Sequence, residues 1–231
     1  MLDTSRMRFP LDIILVCIRW YAAYPLSYQH LEEMMQERGV SVDHSTISRW
    51  AIKFLPILEK ASHKYKRPVG GSWRMDETYI KVNGEWRYLY RAVDKQGNTV
   101  DFMLRAKRDK TAAMRFFEKA MRDNGIPEKV TMDKSGSNKA AIDQIIEDRE
   151  GVEIVVRQIK YLNNIVEQDH RAIKRITKPM LGFKSFKAAK NILAGIELMH
   201  MIRKGQMLIA GGDKMIFAEQ FYALAGQFRP A

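Results

Sequence analysis

Cysteine is nearly absent: Cys17 is the only one in 231 residues. An internal disulfide and a cysteine-built zinc site are both excluded. Long apolar runs are missing too. None approaches the ~20 residues that a membrane-spanning helix needs. The first apolar stretch is broken by Asp12 and Arg19, which argues against a secretory leader. The expectation is a cytoplasmic protein with no membrane partner. Acidic residues are scarce relative to basic ones: 27 Asp and Glu face 39 Lys and Arg, a formal net charge of +12. That imbalance favours a polyanionic partner. Internal repeats and low-complexity tracts are also lacking. The 46% hydrophobic content suffices for a folded core. The length suits one α/β core with a small accessory domain.

The positive charge is unevenly spread. Residues 1–56 balance six basic against six acidic side chains, whereas residues 57–75 carry a net +4 and residues 168–204 a net +7. The neutral first segment is punctuated as helices. Pro10 suits a first helical turn and Pro25 stops the run. Ser27 can cap YQHLEEMMQER, in which Leu31, Met34 and Met35 share a face, and Gly39 follows as a stop. Asp43 caps a second helix with Ile47, Trp50, Ala51 and Phe54 on one face. Helix, short turn, helix is the layout of a helix-turn-helix, whose second helix enters the DNA major groove. His44, Ser45, Ser48 and Arg49 would face base edges and backbone oxygens there, with Lys53 nearer a phosphate. An αα-hairpin without a ligand is the competing reading. His30 and His44 are set aside as metal ligands.

Beyond the basic stretch HKYKRPVGGSW, the pattern turns to strands. WRMDETYIKV alternates into a turn at Asn83-Gly84, EWRYLYRAV follows, and DKQGN leads into TVDFMLRAK. Helical and strand-like runs then alternate, giving the order β-β-β-α-β-α-β-α-α. This predicts an α/β fold: a mixed five-stranded sheet with flanking helices, preceded by an all-α domain. The expected boundaries are a helix-turn-helix domain at 1–56, a basic linker at 57–72, a catalytic domain at 73–205 and a C-terminal tail at 206–231.

Three carboxylates fit a metal cage. Asp76 sits inside an apolar-flanked strand, where Asp is disfavoured. Asp133 ends a short strand 57 positions later, and Glu167 follows 34 positions on, in a helix otherwise rich in cations. If strands one and four are neighbours, Asp76 and Asp133 meet. Such a trio would hold two Mg²⁺ ions, a hard cation served by oxygen ligands, with Mn²⁺ able to substitute. Two nearby acids compete. Glu77 is expected on the opposite face of the strand from Asp76, and Asp94 is expected to bond its own turn.

The motifs MDETYIKVNGEWRYLYRAVD, TMDKS, QIKYLNNIVEQDHRAIKR, LGFKSF and GIELMHMIRKGQ, with DHSTISRW upstream, carry a specific resemblance. On these the chain resembles a DDE transposase of the bacterial insertion-sequence six family, over nearly its whole length. The resemblance implies an RNase H-like (integrase-core) catalytic domain and assigns the catalytic and metal-holding acids to Asp76, Asp133 and Glu167. It implies a basic residue two helical turns after the Glu, here Lys174, at the site. The expected activity is DNA strand cleavage and strand transfer at an element's terminal inverted repeats. Arg171, Lys174, Arg175 and Lys178 would line double-stranded DNA. A homodimer or larger synaptic complex, cointegrate formation and association with the nucleoid are further implications. The segment KSGSNKAAI after Asp133 departs from members with a Pro- or Tyr-containing turn. An RNase H-superfamily nuclease and a non-catalytic DNA-binding regulator are the alternatives.

Overall fold

The computed structural model describes residues 8–159 and 164–226. The chain forms two compact units. One joins residues 1–67 to 173–231, and the other comprises residues 68–172.

The first unit is helical: α1 (Leu11–Ala23), α2 (Tyr28–Gln36), α3 (His44–Ser62), the end of α6 (Asn164–Thr177), α7 (Phe186–Arg203) and α8 (Phe217–Gly226). Its starts follow local chemistry. Ser27 Oγ accepts from the His30 amide at 3.0 Å while His30 Nδ1 accepts from the Ser27 amide at 3.3 Å, a reciprocal cap with His in the place usually taken by Glu or Gln. Asp43 Oδ1 accepts from the Ser45 amide at 2.8 Å and opens α3. The anticipated faces are largely buried: Leu31 and Met35 on α2, with Met34 only half-buried, and Ile47, Trp50, Ala51 and Phe54 on α3.

These units do not coincide with the expected boundaries. Residues 57–62, read as linker, are the last turns of α3, which runs through Pro56. A proline removes the amide that would bond the carbonyl four residues back. Here that carbonyl, on Ile52, accepts from Asn191 Nδ2 of α7 at 2.9 Å. The helix therefore continues because a distant side chain supplies the missing donor. Helix α7, expected in the catalytic domain, packs along α3 in the helical unit. The approach is so close that a Cβ on Gly195 would fall 2.6 Å from the Leu55 methyls. The expected tail contains α8, whose Phe221 and Leu224 are buried.

The second unit is built on β1 (Ser72–Val82), β2 (Glu85–Asp94), β3 (Thr99–Arg105), α4 (Lys110–Asn124), β4 (Lys129–Met132), α5 (Gly136–Glu147), β5 (Val155–Gln158) and the start of α6. The strands form one mixed sheet in the order β3-β2-β1-β4-β5. The first three are an antiparallel meander, while β4 and β5 run parallel to β1. This is the mixed five-stranded α/β sheet with flanking helices read from the sequence. The β1–β2 hairpin turns on Asn83 and Gly84, with φ of 51° and 79°. Both angles are positive, as a two-residue hairpin of matching twist requires. One face of the sheet packs on α4 and α5, through Trp73, Met75, Tyr90, Ala92, Val130 and Met132 against Phe116, Phe117, Ala141 and Ile142. Among the described residues, no helix is long and apolar enough to cross a membrane.

Candidate active site

Strand order explains how two distant acids meet. In the parallel pairing of β1 with β4, Trp73 lies opposite Val130 and Arg74 opposite Thr131. Continuing that register by two places sets Asp133 beside Asp76. Ligand oxygens of Asp76, Glu77 and Asp133 all lie within 4.8 Å of one another. An all-carboxylate donor set of this kind suits a hard divalent cation. Asp133 is also tied to the turn that starts α5: its Oδ1 accepts from the Ser135 amide at 3.1 Å.

Glu77 is the member that sequence reasoning discounted. Its cross-strand partner is Tyr90, in the core under α4 and α5, whereas the partner of Asp76 is Arg91. The two acids therefore leave opposite faces of the sheet, as expected. Even so, the Glu77 carboxylate reaches the shared site at the end of β4. Only 3% of its side chain is exposed, and it accepts from Asn138 Nδ2 of α5 at 2.9 Å. Burial pushes the Glu77 carboxyl above the usual range, and the nearby Asp76 charge adds to this; Asn138 and Arg108 oppose it.

Arg108 answers this concentration of negative charge. Its guanidinium donates to Glu77 at 3.2 Å and to Asp133 at 3.2 Å. Burial alone would lower its pKa, but the Glu77 and Asp133 charges outweigh that and raise it. Arg108 lies in the loop before α4, so no periodicity marks it in the sequence.

Glu167 stands in the first turn of α6, exposed, and outside the clustered trio. The residues just after it make the link to Asp76. His170 Nε2 lies 3.3 Å from Asp76 Oδ2, and Asp169 pairs with Arg91 at 2.6 Å. Glu167 and His170 are three apart and so lie on one side of the helix. Lys174, seven residues beyond Glu167, shares that side. Arg171, Lys174, Arg175 and Lys178 are all exposed.

On α3, His44, Ser45, Arg49 and Lys53 are exposed and Ser48 is half-buried. Several are engaged locally. His44 Nδ1 lies 2.8 Å from Glu32, Ser45 bonds the Asp43 cap, and Arg49 donates to Thr46 Oγ1 at 2.8 Å. Asp94 acts as the turn residue anticipated: its carboxylate accepts from the Gly70, Gln96 and Asn98 amides at 2.8–3.0 Å.

A family model described as a DDE domain matches residues 70–206. The transposase for insertion sequence-like element IS431mec of Staphylococcus aureus (strain Mu50) is 41% identical over 198 residues, covering 85% of this chain and 87% of the relative. The transposase for insertion sequence element IS257 in transposon Tn4003, also from Staphylococcus aureus, is 40% identical over the same span. Among solved structures, the HTLV-2 integrase catalytic core domain in complex with magnesium aligns with a TM-score of 0.46 at 16% identity, covering 58% of this chain and 88% of that one. The catalytic core domain of BIV integrase aligns with a TM-score of 0.43 at 16% identity, covering 56% and 83%. The chain belongs to the DDE transposases of the insertion-sequence six family, enzymes that act in DNA transposition.

Proposed function

We propose that this transposase binds the terminal inverted repeats of its insertion sequence and carries out divalent-metal-dependent strand cleavage and strand transfer. Asp76 and Asp133 would hold the metal with Glu167, and cointegrates would be the product. The observation that carries this reading is the convergence of Asp76, Glu77 and Asp133 within 4.8 Å in a chain of net charge +12. Bound Mg²⁺ would supply Lewis-acid stabilisation of the attacking and leaving oxygens of the phosphodiester, with Mn²⁺ able to replace it. Arg108 keeps Glu77 and Asp133 in place through its two ion pairs. The exposed cations Arg171, Lys174, Arg175 and Lys178 would grip the DNA backbone beside Glu167. The exposed start of α3, from His44 to Lys53, would read the repeat in a major groove. Because phosphate contacts release counterions, binding would weaken steeply with salt. Two or more copies would be needed to hold both element ends with a target.

The test is incubation of the protein with labelled element ends, a target plasmid and Mg²⁺ or Mn²⁺. Joined products that disappear in Asp133→Asn support the proposal. Cut ends without joining would point instead to a nuclease. Joining that survives Asp133→Asn would overturn the site assignment.

A further inference from the structure

Arg91 is a fully buried cation in the middle of β2, directly opposite Asp76 in the strand pairing. Its neighbours Tyr90 and Ala92 face the α4–α5 core, so alternation turns Arg91 to the other side of the sheet, toward α6. There it makes two contacts with consecutive residues of the helix that carries Glu167. Arg91 Nη2 pairs with Asp169 Oδ2 at 2.6 Å, and Arg91 Nη1 lies 3.4 Å from His170 Nδ1. Asp169 and His170 are themselves almost wholly buried, at 8% and 5% side-chain exposure.

The second contact fixes the chemistry of the imidazole. A guanidinium offers donors only, so the Nδ1 facing it must carry the lone pair. The ring proton then sits on Nε2, the atom 3.3 Å from Asp76 Oδ2. The ring turns its Nε2–H edge toward the catalytic aspartate, in ion-pair range at 3.3 Å, and cannot turn over without setting an N–H against Arg91. One helical turn before His170, and about 5–6 Å from it between Cβ atoms, stands Glu167.

We propose that Arg91, Asp169 and His170 form a positioning unit for the strand-cleavage reaction. Arg91 selects the Nε2–H form of His170, which holds Asp76 in one rotamer. The Arg91–Asp169 pair docks the first turns of α6 so that Glu167 is presented at a fixed distance from Asp76. None of the three touches the reacting phosphate; they act through Asp76 and Glu167. Groups that orient metal-holding side chains typically change metal affinity or activity by about 10–100-fold when removed. The inference rests on the reading of Asp76, Asp133 and Glu167 as the metal-holding acids.

The test uses the full chain with labelled element ends in Mn²⁺. His170→Gln keeps an N–H donor near the Nε2 position, whereas His170→Phe keeps the ring shape without one. The expected result is a cleavage rate constant about 10–100-fold lower in His170→Phe, with DNA affinity unchanged and most of the rate restored in His170→Gln. The paired change Arg91→Gln with Asp169→Asn replaces both charges together. It should slow cleavage similarly, and Glu167→Gln should cost less in that background than in the parent, because a misplaced Glu167 has less to lose. Equal rates for His170→Gln and His170→Phe, or full additivity with Glu167→Gln, overturn the proposal. If the paired variant fails to fold by circular dichroism, the two His170 variants decide alone. Asp133→Asn run alongside separates the two levels. Cleavage surviving in Asp133→Asn refutes the underlying site reading, whereas its loss there with normal rates in the other variants refutes only the positioning unit.

Discussion

The helical unit and the sheet unit fill their interiors differently. In the helical unit, Ile14, Ile18, Leu31, Ile47, Phe54, Leu55 and Leu58 are buried, and most charges stay outside, with Glu197 of α7 as a buried carboxylate. In the sheet unit, the α4–α5 side is apolar apart from Glu77 and Asn138 at its edge. The other side of β1 and β2 holds Arg91 against Asp169 and His170, and the end of β4 holds Asp133 with Glu77 and Arg108. Buried ion pairs seldom repay their desolvation better than apolar side chains of similar size. The helical unit is thus packed mainly with apolar side chains, while the sheet unit carries buried ion pairs that cost desolvation.

The sharpest way to break this comparison is Asp133→Asn. With Asp133 holding metal as proposed, its loss should lower strand cleavage by roughly 10³-fold or more, since such charges supply several kcal/mol of transition-state stabilisation. The melting temperature should stay unchanged or rise, as one of the clustered acids is gone. A large drop in melting temperature would mean that Asp133 is structural. The opposite signature is expected for Gly195→Val. Its side chain would collide with Leu55, so thermal unfolding should show a loss of about 1–3 kcal/mol from overpacking. The per-molecule cleavage rate of the folded fraction should be retained.

A smaller effect tests the donor that carries α3 through its proline. Asn191→Ala leaves the Ile52 carbonyl without its side-chain partner and should cost about 1–3 kcal/mol in denaturant unfolding. With Pro56→Ala as well, a backbone amide returns at position 56, and the cost of losing Asn191 should shrink. Equal costs in both backgrounds would show that Asn191 acts otherwise. The smallest change is at the cap: Asp43→Ala should destabilise α3 by about 1 kcal/mol. Cys17 provides the local readout for these helical variants. Its thiol is wholly buried, and burial pushes its pKa up to about 12, so alkylation near pH 8 should be slow until the unit opens. Rapid alkylation of the folded parent would contradict the packing of α1.

Much of the fold was readable because its signals are local. Ser27 and Asp43 cap helices through bonds to amides two or three residues away. Asn83-Gly84 turns a hairpin within its own dipeptide, and Asp94 bonds amides two and four residues on. The adjacency of Asp76 and Asp133 followed from strand order, which a meander followed by alternating helices restricts strongly. The misread positions have partners far away in sequence. The expected boundary after residue 56 fell inside α3, because the donor that compensates for Pro56, Asn191, is 135 positions distant. Glu77 was discounted by alternation, which describes where a side chain leaves the strand but not how far it reaches at a strand end. Arg91 carries no local signal that sets it apart in EWRYLYRAV, because its partners Asp169 and His170 lie far along the chain.

By itself the sequence determined the elements, their caps and turns, the order of strands and helices, the acids worth watching and the family. These depend on chemistry within a few residues, on period, or on motifs. Only the tertiary structure decided that α3 and α7 pack together, that Glu77 and Arg108 join Asp76 and Asp133, and that Arg91 meets Asp169 and His170 beneath Asp76. The physical reason is that a buried charge is tolerated only beside its partner. That partner comes from whichever distant segment the fold brings against it.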